Sequence, residues 1–266
     1  MGESQLDGAL SAFELSGTAW ALTVHKAAGS SEDLQAAYRG SAGAQTVETL
    51  DLDTLETAEA ELRGAGIADE SGAISQQWIL AAWISAFAPL RAAAVVQSAK
   101  DSVHTELAIA GGKGVAVTYA RRIRHGQGVE VIQVSNAVEV CFFTEENAWA
   151  ALNRHLPCTA KTSGCHQPST ETASNGSVAD ARYTIHLEVA AHQAGLSPVP
   201  MPGGPGPDHV SKDAWILTDR LHSLRASVSS AGFALIPVSR GDIGQTFAWR
   251  LLGAREFLAS AAAQVA

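Results

Sequence analysis

Three side chains have the types that metal-dependent hydrolysis uses, namely His186, Glu188 and His192. In the zinc-binding motif H-E-x-x-H, the histidines stand four residues apart on a helix, and the glutamate serves as general base. Here they stand six residues apart, which on a helix separates them by about 240°. A strand would align them, but the pattern predicts a strand that becomes a helix near residues 188–193. We expect exposed polar groups at this junction; the alternative is a metal-dependent small-molecule enzyme.

A second group of metal-ligand types lies around the start of a polar stretch: His155, Cys158, Cys165 and His166. The spacing C-x6-C-H matches no usual structural zinc site, and the odd total of three cysteines forms no disulfide framework. The third cysteine, Cys141, stands in an apolar strand and is expected to be a small buried side chain. The sequence therefore predicts neither a bound metal nor another cofactor.

The run Gly111-Gly112-Lys113-Gly114 resembles a phosphate-binding loop only in composition. Such a loop needs Ser or Thr after the lysine and a helix behind it, whereas here Gly114 and Val115 lead into a strand. A hairpin turn is the expected structure. Because the chain also lacks a G-x-S-x-G sequence, no catalytic set is recognised, and the chain is expected not to be an enzyme.

The charge balance argues against phosphate-rich partners. Formal net charge is −9 and the pI is about 5.4, which disfavours binding to nucleic acid or to an anionic membrane. A basic hairpin tip holds Arg121, Arg122, Arg124 and His125, which we interpret as solvated charge that discourages edge pairing. No apolar run is long enough for membrane insertion, and the first residues do not resemble a signal peptide, so a cytoplasmic location is expected.

Element patterns predict an α+β chain with helices, an antiparallel meander of strands and a shortened repeat of the same pattern later in the sequence. In residues 1–157 we expect an opening helix over 13–29, a helical hairpin between residues 53 and 87, an antiparallel meander over 90–143 and a further helix. Caps are expected at Ser30 and Asp53. Two halves are suggested because residues 53–157 and 211–266 both run helix, strands, helix.

Residues 158–179 are almost free of apolar side chains, which predicts a flexible linker. In residues 180–266 the pattern predicts the strand–helix segment described above, a Pro/Gly loop over 196–208 and a helix from Ser211 that holds Trp215 and Leu217. An apolar segment over 233–238, another over 246–252 and a final helix near Ala254 complete the expected order.

Four strings carry a resemblance to a known family. They are ETAEAELRGAGIADESGAISQQWILAAW, VEVCFFTEENAWAALNRHLP, ARYTIHLEVAAHQAG and WRLLGAREFLASAAAQV. With the order of elements, they resemble the EspG family of type VII (ESX) secretion-associated proteins over roughly residues 50–266. The resemblance implies a pseudo-two-fold α+β fold of two related halves, with a central, mainly antiparallel sheet and flanking helices, and a non-enzymatic role. It also implies a cytosolic chaperone that binds a PPE protein within a PE–PPE heterodimer and keeps it soluble until export.

A partner surface is predicted in the Pro/Gly loop. Leu196, Val199 and Met201 offer apolar contacts between prolines that keep the segment extended. We therefore expect these three side chains to bind the protein client, or else to cover the core beneath a long loop.

Overall fold

The computed structural model describes residues 10–39, 42–126, 128–157, 181–192, 208–218, 223–229, 232–239 and 241–265. All strands in these ranges join one antiparallel sheet: β1 (Ser11–Ser16), β2 (Leu90–Gln97), β3 (Asp101–Ala110), β4 (Lys113–His125), β5 (Val129–Thr144), β6 (Ala181–Ala191), β7 (His209–Thr218), β8 (Ser223–Ser229) and β9 (Gly232–Val238). Their order across the sheet is β1-β5-β4-β3-β2-β6-β7-β8-β9. The predicted α+β class and antiparallel sheet are confirmed.

The described helices are α1 (Gly17–Ala28), α2 (Glu32–Tyr38), α3 (Ala42–Glu48), α4 (Leu52–Gly64), α5 (Gln76–Phe87), α6 (Ala148–Asn153) and α7 (Asp242–Val265). A single 3₁₀ turn, Glu145–Asn147, precedes α6. Helix starts follow local capping chemistry. Ser31 accepts a bond from the N–H of Leu34, and Asp51 accepts one from the N–H of Thr54 at 2.7 Å. The expected caps at Ser30 and Asp53 were thus one and two positions off.

Local turn chemistry also explains the first hairpins. Gly66 has φ 69°, a left-handed conformation that lets the chain leave α4 and turn toward α5. Gly111 and Gly112, with φ 57° and 75°, join β3 to β4. Two consecutive positive φ angles are typical of the tight turns that match strand twist. The two predicted helices and the β3–β4 hairpin turn are confirmed, and α4 and α5 each pack against α1.

Two halves of the sheet repeat one arrangement. β2 and β6 lie side by side at the centre, antiparallel, with Leu90 opposite Ala191 and Gln97 opposite Thr184. Each begins a four-strand meander, β2 to β5 and β6 to β9, and each meander leads to a helix, α6 or α7. The two halves are therefore related in topology by a two-fold axis between β2 and β6. The second unit begins at β6, at the start of the predicted half 180–266, whereas the repeated helix–strands–helix pattern was placed only in residues 211–266.

Three segments predicted as helical are strands. Phe13 and Leu15 belong to β1, the segment after Leu187 continues β6, and Trp215 with Leu217 belongs to β7. The physical reason is pairing with distant strands: β6 is hydrogen-bonded on both sides, to β2 and β7, along its length. Trp215 and Leu217 are buried on one face while the residue between them is half-exposed, a period of two. The apolar segment 246–252 belongs to α7.

The helices form two separate layers. α6 and α7 pack on one face, over a core from both halves that includes Leu107, Leu187 and Trp215. α1, α4 and α5 pack on the opposite face, but only over β3, β4, β5 and β1, where Trp78 meets Phe142 edge to face at 5.0 Å. Within the described ranges, no helix combines the length and the hydropathy needed to cross a membrane.

Candidate functional site

One face of the central sheet lacks a helix layer in the described part of the chain. Along β2, Ala92 and Ala94 are buried against the α6–α7 layer, whereas Ala93 and Val95 on the other face are half-exposed. β6 repeats this alternation between its buried and its exposed faces. The side that α5 covers over β3 and β4 therefore continues over β2, β6 and β7, where no described helix covers it. We call this surface the open face and define it by Ala93, Val95, His186, Glu188, Lys212 and Ala214.

The open face deepens into a depression where two strands diverge. β7 pairs with β8 only from Trp215 to Leu217, although β7 pairs with β6 from His209 onward. The depression has a volume of about 800 Å³, and its lining includes every residue that defines the open face. Asp213, Arg225 and Arg250 line it from the side of α7. The separation of β7 from β8 thus opens a recess at the edge of the open face.

Charged pairs flank this recess at different depths. On the open face, Lys212 and Glu188 form an ion pair at 2.8 Å, with both side chains exposed. On the opposite side of β7, the carboxylate of Asp213 is only 7% exposed and accepts hydrogen bonds from Arg225 at 2.5 Å and from Arg250 at 2.8 and 3.1 Å. The second set ties α7 and β8 to β7 on the α7 side of the recess.

The arginines control the ionisation of Asp213. Burial by itself would raise the pKa of this carboxyl, but the hydrogen bonds from Arg250 and Arg225 and their positive charges lower it below the ordinary value of 3.8. Next to this group, the indole Nε1 of Trp215 donates to Asp242 at 2.8 Å, and the Arg225 guanidinium lies 5.7 Å from the Trp215 ring centre. At neutral pH the Asp213 carboxylate is therefore ionised, and through Arg225 and Arg250 it connects β7 to β8 and α7.

The first group of metal-ligand side-chain types, His186, Glu188 and His192, is only partly brought together by the fold. His186 and Glu188 share the open face of β6, because that segment is a strand and not the expected helix. His192 lies past the strand end, where its N–H donates to the carbonyl of Pro89 at 2.8 Å. Burial, followed by the charge of Arg91, lowers the pKa of His192. Among the described residues, no three His, Cys, Asp or Glu side chains are grouped to hold a metal ion.

Of the second group, only His155 is within the described ranges. Its Nε2 lies 3.0 Å from one carboxylate oxygen of Glu139. The other oxygen of Glu139 accepts a hydrogen bond from Arg154 at 3.0 Å. Cys158, Cys165 and His166 fall outside the described residues, as does the predicted linker 158–179. The predicted client-binding residues, Leu196, Val199 and Met201, also lie outside them.

Cys141 is buried as expected, at 2% exposure. Burial raises the pKa of its thiol, so the reactive thiolate is suppressed.

The chain matches no protein-family model, and it matches no curated protein. Functional inference therefore depends on residues and geometry. Sequence reasoning missed the open face, although a signal was present: small residues fill the central strand, LRAAAVVQ. Because alanine side chains are small, alanines on both faces of a strand allow a helix to pack close to the sheet on either side.

Proposed function

We propose that this protein is a chaperone or adaptor that binds a secreted client of the PE–PPE type for a type VII (ESX) secretion system. The observation that carries the proposal is the open face. In the first half of the molecule, the same face of the sheet is filled by α1, α4 and α5. In the second half it is uncovered among the described residues, and a helical client would supply the missing layer.

The surface chemistry of the open face suits such a client. β2 contributes the small apolar side chains of Ala93 and Val95 to this face, and β7 contributes that of Ala214. Between them β6 places Glu188 and His186, and Glu188 is paired with Lys212. A client helix that packs there would present apolar side chains to β2 and β7 and polar groups to β6. These polar contacts would set the orientation of the helix and would contribute little affinity.

The open face alone is too small for a stable complex. Three strands at about 4.8 Å spacing and five residues of rise cover roughly 15 Å by 17 Å, well below the approximately 800 Å² that each partner buries in a typical interface. A second surface must contribute. Leu196, Val199 and Met201 remain our prediction for it, because their segment follows β6 and precedes β7 in the chain.

The test is co-expression with a tagged PE–PPE heterodimer, followed by size-exclusion chromatography and a sedimentation assay of client solubility. Ala214→Arg replaces a small apolar side chain of the open face by a long charged one and should weaken the complex about tenfold or more, with the melting temperature nearly unchanged. Ala248→Arg, at an exposed position of α7, is the matched control. A complex that survives Ala214→Arg at wild-type affinity removes the open face from the interface.

The loop prediction has its own variant. Replacing Leu196, Val199 and Met201 by Ser should reduce client binding while the melting temperature stays the same. A marked drop in the melting temperature would mean that these side chains cover the core.

The enzyme alternative built on His186, Glu188 and His192 gains no support from the geometry. Glu188 is already paired with Lys212, and His192 lies beyond the end of β6. Metal analysis of the purified protein tests this alternative directly.

A further inference from the structure

The hairpin formed by β4 and β5 extends beyond its neighbours. β5 begins at Val129, but β1 pairs with it only from Ala137 to Phe142. β4, on the inner side, stays paired with β3 up to Arg122. The outer edge of β5 over residues 129–135 therefore has no strand partner in the described part of the chain. We call residues 121–125 and 129–135 the ribbon.

The ribbon exposes an unusual amount of aliphatic surface. Val129, Val131, Ile132 and Val134 are between 45% and 55% exposed. An irregularity in the register at Ile132 places Val134 opposite Arg121 and Val131 opposite Ile123, so Val129, Val131 and Val134 share one face. An exposed, β-branched strand with a free edge is the usual template for strand addition.

The ribbon is also basic in an acidic protein. Arg121, Arg122 and Arg124 stand on β4 with His125, whereas Glu130, 3.6 Å from Arg124, is the only acid among the ribbon residues. The whole chain carries −9. A second copy would bring the same net positive charge, with the arginines of the two copies about three strand spacings apart, and so it lacks the charge complementarity of an acidic partner. The charge instead complements an acidic partner.

We propose that the outer edge of β5 binds an extended segment of a partner protein in which aliphatic and acidic residues alternate, added as a tenth strand. Its aliphatic side chains contact Val129, Val131 and Val134. Its acidic side chains lie on the other face, which Gln133 and Glu130 of β5 share with Arg122 and Arg124 of β4. The two arginines are within about 10 Å of these acidic side chains, which is two strand spacings and about one Debye length at 0.1 M salt, and they outnumber the single acid Glu130. The backbone N–H and C=O groups of β5 supply the affinity, and the arginines select the partner. This inference stands independently of the proposed client, because it uses a different surface and a different chemistry.

The probes are blocked, fluorescein-labelled peptides of about seven residues, the length of the free edge. One alternates Val with Glu, a second alternates Val with Lys, and a third replaces the central Val of the acidic peptide by Pro, which removes a backbone donor. Fluorescence anisotropy at about 0.05 and 0.5 M salt measures affinity under weak and strong screening. Amide hydrogen exchange across residues 129–135 reports backbone pairing.

We expect the acidic peptide to bind, less tightly at high salt, and to slow amide exchange in residues 129–135. The lysine and proline peptides should bind at least about tenfold more weakly. The double variant Arg122→Glu/Arg124→Glu should lose about tenfold or more in affinity, and Val131→Asn should weaken binding without changing the salt response. Arg63→Glu, on the exposed surface of α4, is the matched control and should have no effect. All these side chains are exposed, so the melting temperature should change little.

Four results would overturn the proposal. They are absence of acidic-peptide binding at about 1 mM, equal binding of the proline peptide, equal binding of single-stranded DNA of the same charge, and self-association that Val131→Lys abolishes. The second would show charge attraction without strand pairing. The third would show a nucleic-acid surface, and the fourth a homodimer edge.

Discussion

Replacing Asp213 by Asn tests whether the arginine network anchors α7 beside the recess. The native carboxylate accepts three hydrogen bonds from two guanidinium groups and is 7% exposed, whereas Arg225 and Arg250 are 30% and 40% exposed. Asparagine keeps one acceptor oxygen but loses the charge. A hydrogen bond to a charged group contributes about 1.5–3 kcal/mol, and water can reach both arginines, so we expect a loss of about 2 kcal/mol.

That free energy corresponds to a melting temperature lower by about 4–8 °C in a chain of this size. Differential scanning calorimetry at pH 7 measures it. The matched control is Glu188→Gln, which breaks an exposed ion pair one strand away, on the other face of the sheet. It should lower the melting temperature by about 2 °C at most. Equal shifts for the two variants would contradict the anchoring role.

The pH dependence provides a second check with a definite sign. Since the folded-state pKa of Asp213 lies below the ordinary 3.8, its contribution to stability is fully present above the unfolded-state value. It is lost as pH falls through the folded-state pKa. The difference between wild type and Asp213→Asn should therefore be constant from pH 7 to 5 and shrink below about pH 4. A difference that persists unchanged into strong acid would refute the electrostatic explanation.

Two further predictions concern packing and reactivity. Gly114→Ala should destabilise the fold by about 3 kcal/mol, because the added Cβ would lie 2.2 Å from ring atoms of the buried Phe143; chemical denaturation measures this, and a loss below about 1 kcal/mol would mean that the ring moves freely. In a Cys158→Ser/Cys165→Ser variant, Cys141 should react with a thiol reagent only on unfolding, because it is 2% exposed and its pKa is raised by burial; rapid labelling of the native protein would contradict this.

Local signals in the sequence were sufficient for the first half of the fold. The helical hairpin was predicted because Gly66 and the start at Ser75 are encoded within a few residues, and the β3–β4 turn because two glycines stand between alternating segments. The second half depends on distant partners. The Ala-rich end of β6 has a composition compatible with a helix, and only its pairing with β2 and β7 makes it a strand.

The candidate site was less predictable for the same reason. The open face combines Val95, His186 and Ala214 from three strands, and β2 is separated from β7 by more than a hundred residues of chain. The sequence of each strand indicates only that its side chains alternate between a buried and a half-exposed side. Knowing which side of each strand faces the same direction requires the register.

The edges of the sheet are protected to different extents, and this difference locates the ribbon as the place for strand addition. At one edge, β9 contains Pro237, which lacks an N–H and restricts pairing to its inner side, where it lies opposite Leu224. At the other edge, β1 covers β5 from Ala137 onward. Among its described strands, the second half has no counterpart of β1. Pro237 therefore limits strand addition at the β9 edge, as β1 limits it along the part of β5 that it covers. Residues 129–135 contain no proline, and no strand covers them in the described part of the chain; their protection consists of register irregularities and of the arginines on the neighbouring β4. The net positive charge of these arginines favours an acidic strand over a second copy, so it makes this edge selective instead of closing it.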